Sequence, residues 1–161
     1  MNSFTKLLSI FLLLILSLSL TSCDDDNPFE VDYSSAPDPF DIENAERVES
    51  ETGLIYYIVE EGTGAFEVER RDPVDVYYTG RILETGEIFD SSYRNGNPTP
   101  TTFSNLDNLI DGFREGLIGM KEGEKRVLII PPELGYGDSP SSRLRDDSLR
   151  FDVELESILG S

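Results

Sequence analysis

Histidine and tryptophan are both absent from this chain of 161 residues. Without histidine the chain cannot assemble a serine–histidine–aspartate triad or a cysteine–histidine pair, and it lacks the most common transition-metal ligand. Basic residues are also scarce, because 13 lysines and arginines stand against 32 acidic residues and give a formal charge of −19. Such an acidic chain repels phosphate backbones, so we expect no nucleic-acid partner. We also expect no metal and no other cofactor.

Cysteine occurs once, at position 23, so no disulfide can form within the chain. Upstream of it, residues Leu7 to Leu20 form the apolar run LLSIFLLLILSLSL, with Lys6 at its head. The run is shorter than the roughly 20 residues that span a bilayer, and it is typical of a signal-peptide core. The LTSC sequence that ends at Cys23 resembles the lipobox of bacterial lipoproteins, in which cleavage precedes a cysteine that then carries lipid.

This resemblance implies a lipoprotein signal peptide over residues 1–22 and a lipid, with palmitate among its chains, on Cys23. Several acyl chains on one residue exceed the single chain that gives only marginal membrane binding. We therefore expect a protein anchored to a membrane by lipid and extracytoplasmic, on the periplasmic side or at the outer membrane or cell surface. A plain secretory signal with an incidental cysteine is the alternative.

Residues 23–51 are acidic, contain proline and show no sustained apolar period. Such a segment buries too little apolar surface to offset the entropy lost on ordering. We interpret it as a lipid-anchored flexible tether that precedes a domain over residues 52–161. A docking segment is the alternative, and its contact residues would be Phe29, Val31, Phe40 and Ile42.

The domain combines five strand-like stretches with one short helical stretch. Alternating or β-branched and aromatic residues predict strands over Leu54–Glu60, Val74–Leu83, Glu87–Ser91, Lys125–Pro131 and Leu149–Ser157. Apolar residues at helical spacing between Leu106 and Met120 predict a helix, with Asp107 as its candidate N-cap. The order of these elements predicts an α+β fold, in which a five-stranded antiparallel sheet packs on one short helix.

Three stretches resemble the FKBP-type peptidyl-prolyl isomerases, in the family's order and near its spacing. They are YYTGRILETGEIFDSS, LIDGFREGLIGMKEGEKRVLIIPPELGYG and FDVELESI. The preceding TGLIYYIVEEGTG is similar to the first strand of bacterial members. The resemblance extends from Gly53 to Leu159. It implies a curved sheet wrapped around one short helix, a pocket between them, and catalysis of cis–trans rotation about X-Pro bonds.

The resemblance also implies the residues of that pocket. The catalytic set is Tyr78, Phe89, Asp90, Ile110, Phe113, Tyr136 and Phe151. The additional substrate-binding residues are Phe103, Leu109, Arg94 and Leu144. In the family pattern, the Ile110 backbone N–H and the Tyr136 hydroxyl bind ligand carbonyls. Arg94 would pair with Asp90, and Leu144 is the candidate for a lip over the substrate.

Phe89 and Asp90 raise a question, because strand alternation points neighbouring side chains to opposite faces. On the residues alone, Asp90 is an ordinary solvated carboxylate and Phe89 belongs to the core. The resemblance favours the other interpretation, in which both border one pocket where the strand ends and bends.

X-Pro rotation suits a chain without histidine, because it requires no nucleophile, acid–base pair or metal. Resonance stiffens the C–N bond, and an apolar pocket favours the twisted, less charge-separated amide over the planar one. We expect a monomeric isomerase that assists the folding of exported proteins, with Pro-containing or unfolded polypeptides as substrates. Its activity should be reduced, because residues 137–150 are polar where many members carry an apolar lip. The alternative is a chaperone-like module that binds such segments with little turnover.

Overall fold

A computed structural model describes residues 31–160 of the chain. The predicted signal peptide, the lipobox with Cys23 and the contact residue Phe29 lie outside the described residues. None of the helices found between residues 31 and 160 has the length and apolarity needed to span a bilayer.

The described residues form seven strands, one α-helix and two short 3-10 turns. The strands are β1 (Glu46–Glu49), β2 (Ile55–Glu60), β3 (Val74–Ile82), β4 (Ile88–Ser91), β5 (Thr101–Phe103), β6 (Lys125–Ile130) and β7 (Leu149–Ile158). The helix α1 is Asp111–Leu117, and the 3-10 turns are Leu106–Asn108 and Pro132–Leu134.

All strand pairs are antiparallel, in the order β1-β2-β6-β7-β3-β4, and β5 pairs with β3. The predicted α+β class, an antiparallel sheet with one short helix, is confirmed. The strand count differs because β1 and β5 were not predicted. These strands have only four and three residues, too few to show an alternating pattern.

Helix α1 packs closely against β6, and its two glycines make this possible. A Cβ atom on Gly112 would lie 2.6 Å from Cγ2 of Ile130, and one on Gly116 would lie 2.5 Å from Cδ1 of Leu128. The glycines weaken the isolated helix by about 1 kcal/mol each relative to alanine. In the folded domain they allow the helix backbone to approach the sheet, which sets the floor of the space between them.

The helical spacing after Leu106 spans two elements instead of one. Asn105 caps the first 3-10 turn by accepting the Asp107 N–H, and α1 begins only at Asp111, after Ile110, whose side chain makes no capping bond. The prediction of Asp107 as N-cap is therefore wrong. Continuous apolar spacing cannot reveal the extended residues that separate the turn from the helix.

The prediction of a flexible tether is wrong from residue 31 onward. The compact unit that contains the described residues begins at Val31, and β1 pairs with β2. The segment of residues 31–42, which we name the N-terminal strap, is bound to the sheet by polar contacts such as the 2.6 Å bond from Nη2 of Arg81 to the Pro37 carbonyl. Its composition predicts disorder because it carries little apolar surface, whereas the groups that order it, such as Arg81, are distant in sequence.

Candidate active site

A pocket of about 190 Å³ is lined by residues from the sheet, from helix α1 and from the loops between them. The lining residues are Tyr78, Phe89, Asp90, Phe103, Asn108, Leu109, Ile110, Phe113, Tyr136 and Phe151. All seven predicted catalytic residues are thus brought together, with the predicted contact residues Phe103 and Leu109. The sequence reasoning missed Asn108, and the only signal for it was its position directly before the aliphatic pair Leu109–Ile110.

Aromatic rings form the apolar part of the pocket, with Phe113 of α1 at their centre. The ring centroid of Phe113 lies 4.7 Å from that of Phe151 and 5.7 Å from those of Tyr78 and Phe103. Phe89 meets Phe151 edge to face, at 5.5 Å and 89°. Such pairs contribute about 0.5–1.5 kcal/mol each beyond area burial, so the rings hold one another in place.

An irregular register explains how neighbouring Phe89 and Asp90 both reach the pocket. Asp90 pairs with Gly80, but the register between β3 and β4 then shifts, so that Arg81 pairs with Ile88. Phe89 lies at this β-bulge-like irregularity, a feature that redirects side chains next to functional sites. Strict alternation therefore fails here, and the prediction that both residues border one pocket is confirmed.

Gly80 of β3 leaves room for two of the rings. A Cβ atom at this position would lie 2.7 Å from Cε1 of Phe151 and 2.8 Å from Cζ of Phe89. Any side chain there would displace the rings. The glycine of the YTG sequence is thus part of the pocket's construction, which the strand pattern alone does not show.

The Asp90 carboxylate is oriented mainly by Tyr78. The Tyr78 hydroxyl donates to Oδ2 at 2.7 Å, and the Ser91 N–H donates to Oδ1 at 2.9 Å. The predicted ion pair with Arg94 is present, but Nη2 lies 3.7 Å from Oδ1 and both side chains are more than two-fifths exposed. An exposed pair of this kind adds little free energy, so Arg94 assists Tyr78 but does not replace it.

Both pocket tyrosines remain hydrogen-bond donors at neutral pH. Burial is the largest cause that raises the pKa of Tyr78, followed by its hydrogen bond to the Asp90 carboxylate. Burial likewise raises the pKa of Tyr136, with a smaller contribution from the Asp90 charge. Each phenol therefore stays protonated well beyond the physiological range.

Among the pocket donors without an acceptor in the hydrogen bonds formed within residues 31–160, two can serve a bound peptide. One is the Tyr136 hydroxyl, and the other is the backbone N–H of Ile110, which lies just before α1. A polar group in a largely apolar pocket gains a partner when a ligand supplies one. The pair can therefore bind carbonyl oxygens of a peptide seated on the rings.

Two predicted contact residues lie outside the pocket lining. Arg94 reaches it only through its ion pair with Asp90. Leu144 is 7% exposed and belongs to the hydrophobic core, so the prediction that it forms a lip is wrong. In the same loop, Arg143 points outward, with Nη1 3.2 Å from Oε1 of Glu87, whereas the Leu144 side chain points inward. Between residues 31 and 160, no group of three or more acidic or cysteine side chains is placed to hold a metal ion.

Comparison with known proteins agrees with this geometry. Residues 64–156 match the family described as FKBP-type peptidyl-prolyl cis-trans isomerase. The chain is 42% identical to FK506-binding protein 1A of Neurospora crassa over 110 residues. This alignment covers 67% of this chain and 90% of that protein. It is 43% identical to the isomerase FkpA of Escherichia coli over 107 residues. This second alignment covers 66% of this chain but only 38% of FkpA.

Solved structures show the same relationship. The crystal structure of Escherichia coli FkpA aligns with a TM-score of 0.62 at 40% identity, over 70% of this chain and 51% of that one. An isomerase from Pseudomonas syringae aligns with a TM-score of 0.59 at 31% identity, over 70% of this chain and 80% of that one. The fold, the pocket and the sequence matches agree, and the chain belongs to the FKBP-type peptidyl-prolyl cis-trans isomerase family.

Proposed function

We propose that the aromatic pocket catalyses cis–trans rotation of X-Pro bonds in unfolded or Pro-containing segments of exported proteins. The observation that carries this proposal is the pairing of an aromatic box with two donors, the Ile110 N–H and the Tyr136 hydroxyl, that have no acceptor within the described residues. A proline ring fits an apolar box, and the two donors fit the carbonyls on either side of it.

Rotation is slow in water because resonance imposes a barrier of about 18–20 kcal/mol on the peptide bond. The planar amide is more charge-separated than the twisted one, and it loses more when water is replaced by the rings of Phe89, Phe113 and Phe151. The pocket thus binds the twisted form better than the planar form, which lowers the barrier. Carbonyl bonds from Ile110 and Tyr136 hold the flanking backbone while the proline bond turns.

Asp90 supplies the polar wall of this pocket. Its carboxylate is fixed by Tyr78 at 2.7 Å, so its charge has one position relative to a bound amide. A preoriented charge contributes to catalysis because it needs no reorganisation during the reaction. We assign Asp90 the role of stabilising the rotating amide, with Tyr78 as the residue that positions it.

The test is a protease-free isomerisation assay of a Pro-containing peptide, with residues 24–161 of wild type, Asp90→Ala and Tyr136→Phe. We expect wild type to accelerate rotation, and kcat/KM to fall about tenfold in Asp90→Ala and about threefold to tenfold in Tyr136→Phe. Tyr57→Phe is the matched control, because it removes a phenol from β2 outside the pocket lining.

Two outcomes would change the assignment. Acceleration that is indifferent to both pocket variants would place the active site elsewhere. A folded domain without acceleration would favour the alternative, a chaperone-like module that binds Pro-containing segments with little turnover. The loop of residues 137–148 supports this alternative. The loop is polar, and Leu144, its one candidate for an apolar lip, is buried in the core.

We further propose that the protein is a lipoprotein, held on the extracytoplasmic side of a membrane through Cys23. The apolar run, the LTSC sequence and the single cysteine support this location. In a bacterial host, an alkyne-tagged palmitate analogue should label the wild-type protein and leave Cys23→Ser unlabelled. Equal labelling of the two proteins would disprove lipidation at this residue.

We also propose that the enzyme acts as a monomer, because one chain is sufficient to supply the aromatic rings, Asp90 and both donors of the pocket. Light scattering on residues 24–161 should give the mass of a single chain at the concentrations of the activity assay. A dimer mass would contradict this.

A further inference from the structure

The pocket wall formed by β4 lies at the end of the sheet. In the strand order of residues 31–160, β4 follows β3 and has no strand on its other side. An edge strand has main-chain groups that its sheet does not pair, and such regions open more readily than central strands. Since Phe89 and Asp90 both belong to β4, the rigidity of this edge determines how firmly the wall is held.

The N-terminal strap forms hydrogen bonds with the main chain of β4 and with the loop that follows it. The Tyr33 hydroxyl donates to the Phe89 carbonyl at 3.2 Å, and the Ser35 hydroxyl donates to the Tyr93 carbonyl at 2.6 Å. Asp32 and Asn95 bond twice, from the Asn95 N–H to the Asp32 carbonyl at 2.7 Å and from the Asp32 N–H to Oδ1 of Asn95 at 3.2 Å. The strap is thus bound along β4 and the loop that follows it.

Tyr33 is the strap residue that bonds to Phe89, a residue of the pocket lining. Its acceptor, the Phe89 carbonyl, belongs to the residue at the irregular register, where the ladder with β3 is interrupted. Tyr33 is partly buried, which raises its pKa, and the Asp90 carboxylate raises that pKa further, while Arg94 and Arg143 lower it. The phenol therefore lies within the electrostatic reach of the pocket's carboxylate and remains a donor.

A buried network of charged side chains also binds the strap, on the face of the sheet opposite the pocket. Asp152 of β7 accepts from Arg81 Nη1 at 2.6 Å, from Arg150 Nη2 at 2.7 Å and from the Phe40 N–H at 3.0 Å. Nη2 of Arg81 also donates to the strap carbonyl of Pro37, and Nη2 of Arg150 donates to that of Phe40. Asp152 is only 3% exposed, so this attachment is shielded from water.

We infer that the N-terminal strap is part of the active-site architecture and that Tyr33 is a positioning residue for the Phe89–Asp90 wall. The inference rests on the proposed function, since it assigns Tyr33 to the geometry of that pocket. Tyr33 binds the Phe89 carbonyl at the position where the register between β3 and β4 shifts, and the network around Asp152 prevents the strap from moving away.

The experiment compares Tyr33→Phe with Tyr57→Phe in residues 24–161, by amide hydrogen exchange and by isomerisation kinetics. Tyr33→Phe retains the ring and loses only the hydroxyl bond to Phe89. We expect exchange at Phe89–Ser91 to rise about threefold to tenfold with no change in β6, and kcat/KM to fall by a similar factor. Tyr57→Phe should change neither quantity.

Two results would overturn the inference. One is unchanged exchange at Phe89–Ser91 in Tyr33→Phe, and the other is faster exchange there with unchanged kcat/KM, which would make the strap merely structural. The exchange measurement requires no turnover. If the wild-type protein does not accelerate isomerisation, the proposed function fails, and exchange still shows whether Tyr33 holds the wall.

Discussion

The two faces of β3 and β7 use opposite chemistry although they share the same backbone. On the face toward α1, Tyr78 and Phe151 carry rings around a pocket, and Gly80 gives them room. On the other face, Arg81 pairs in register with Arg150, and both bind Asp152. Alternation along each strand separates these sets, so one residue of displacement changes the environment from apolar to ionic.

The difference lies in how each face is completed. The charged face is completed by the chain itself, because the N-terminal strap supplies backbone groups that satisfy the arginines and Asp152. The pocket face has two donors, at Ile110 and Tyr136, without acceptors among the described residues. A face saturated by its own chain contributes stability and rigidity. A face with unused donors and packed rings is suited to a ligand.

The largest expected effect is on the charged face. Asp152→Ala leaves two arginines close together without the carboxylate that they share, and removing one partner from a buried ion network costs about 3–5 kcal/mol. Urea unfolding should show this loss of stability. Glu156→Ala is the matched control, since this acidic residue lies on the same strand but is exposed, and it should change the unfolding free energy by less than about 0.5 kcal/mol. A cost below about 1 kcal/mol for Asp152→Ala would show that the strap is not held by this network.

An intermediate effect is expected from adding one methyl group to the pocket face. Gly80→Ala forces the Phe89 and Phe151 rings apart, which should cost about 1–3 kcal/mol in unfolding free energy and lower kcat/KM about tenfold. Thr79→Ser, on the opposite face, retains the hydroxyl that bonds to Oγ of Ser91 at 3.0 Å and should leave kcat/KM unchanged. Full activity in Gly80→Ala would show that the ring positions do not limit catalysis.

The smallest effect is a stability change in alkaline solution. Burial raises the pKa of Tyr78 in the folded state, whereas an unfolded tyrosine ionises near pH 10. The stability that follows from this difference is fully present below about pH 10 and is lost as the pH rises toward the folded pKa. Urea unfolding between about pH 8 and pH 11 should therefore show a steeper loss for wild type than for Tyr78→Phe. Equal slopes would contradict a buried, protonated Tyr78.

Patterns confined to one element were sufficient to predict the class of fold. The alternation of Val74, Val76 and Tyr78 with polar residues predicts β3, and the helical spacing around Phe113 predicts α1. The pocket residues were predicted from family motifs, which carry positions that no periodicity contains. Gly80 and Asn108 show the limit, because their importance depends on close approach and on a turn.

The errors on the strap and on Leu144 share one physical origin, which is contact between residues distant in sequence. The strap was predicted to be flexible because its own composition is polar, yet Arg81 and Arg150 order it from the sheet. Leu144 was predicted to lie over the substrate because its loop is otherwise polar, and burial of that one apolar side chain placed it in the core. Local composition reports neither kind of contact.

The central claim is that X-Pro rotation occurs on the pocket face of the sheet. The most direct measurement is exchange NMR of a Pro-containing peptide mixed with isotope-labelled residues 24–161, which records peptide isomerisation and protein chemical shifts in one sample. The account predicts accelerated cis–trans exchange together with shifts at Phe89, Asp90, Ile110 and Tyr136. Accelerated exchange with shifts confined to the face around Arg81 and Asp152, or no acceleration from a folded domain, would contradict it.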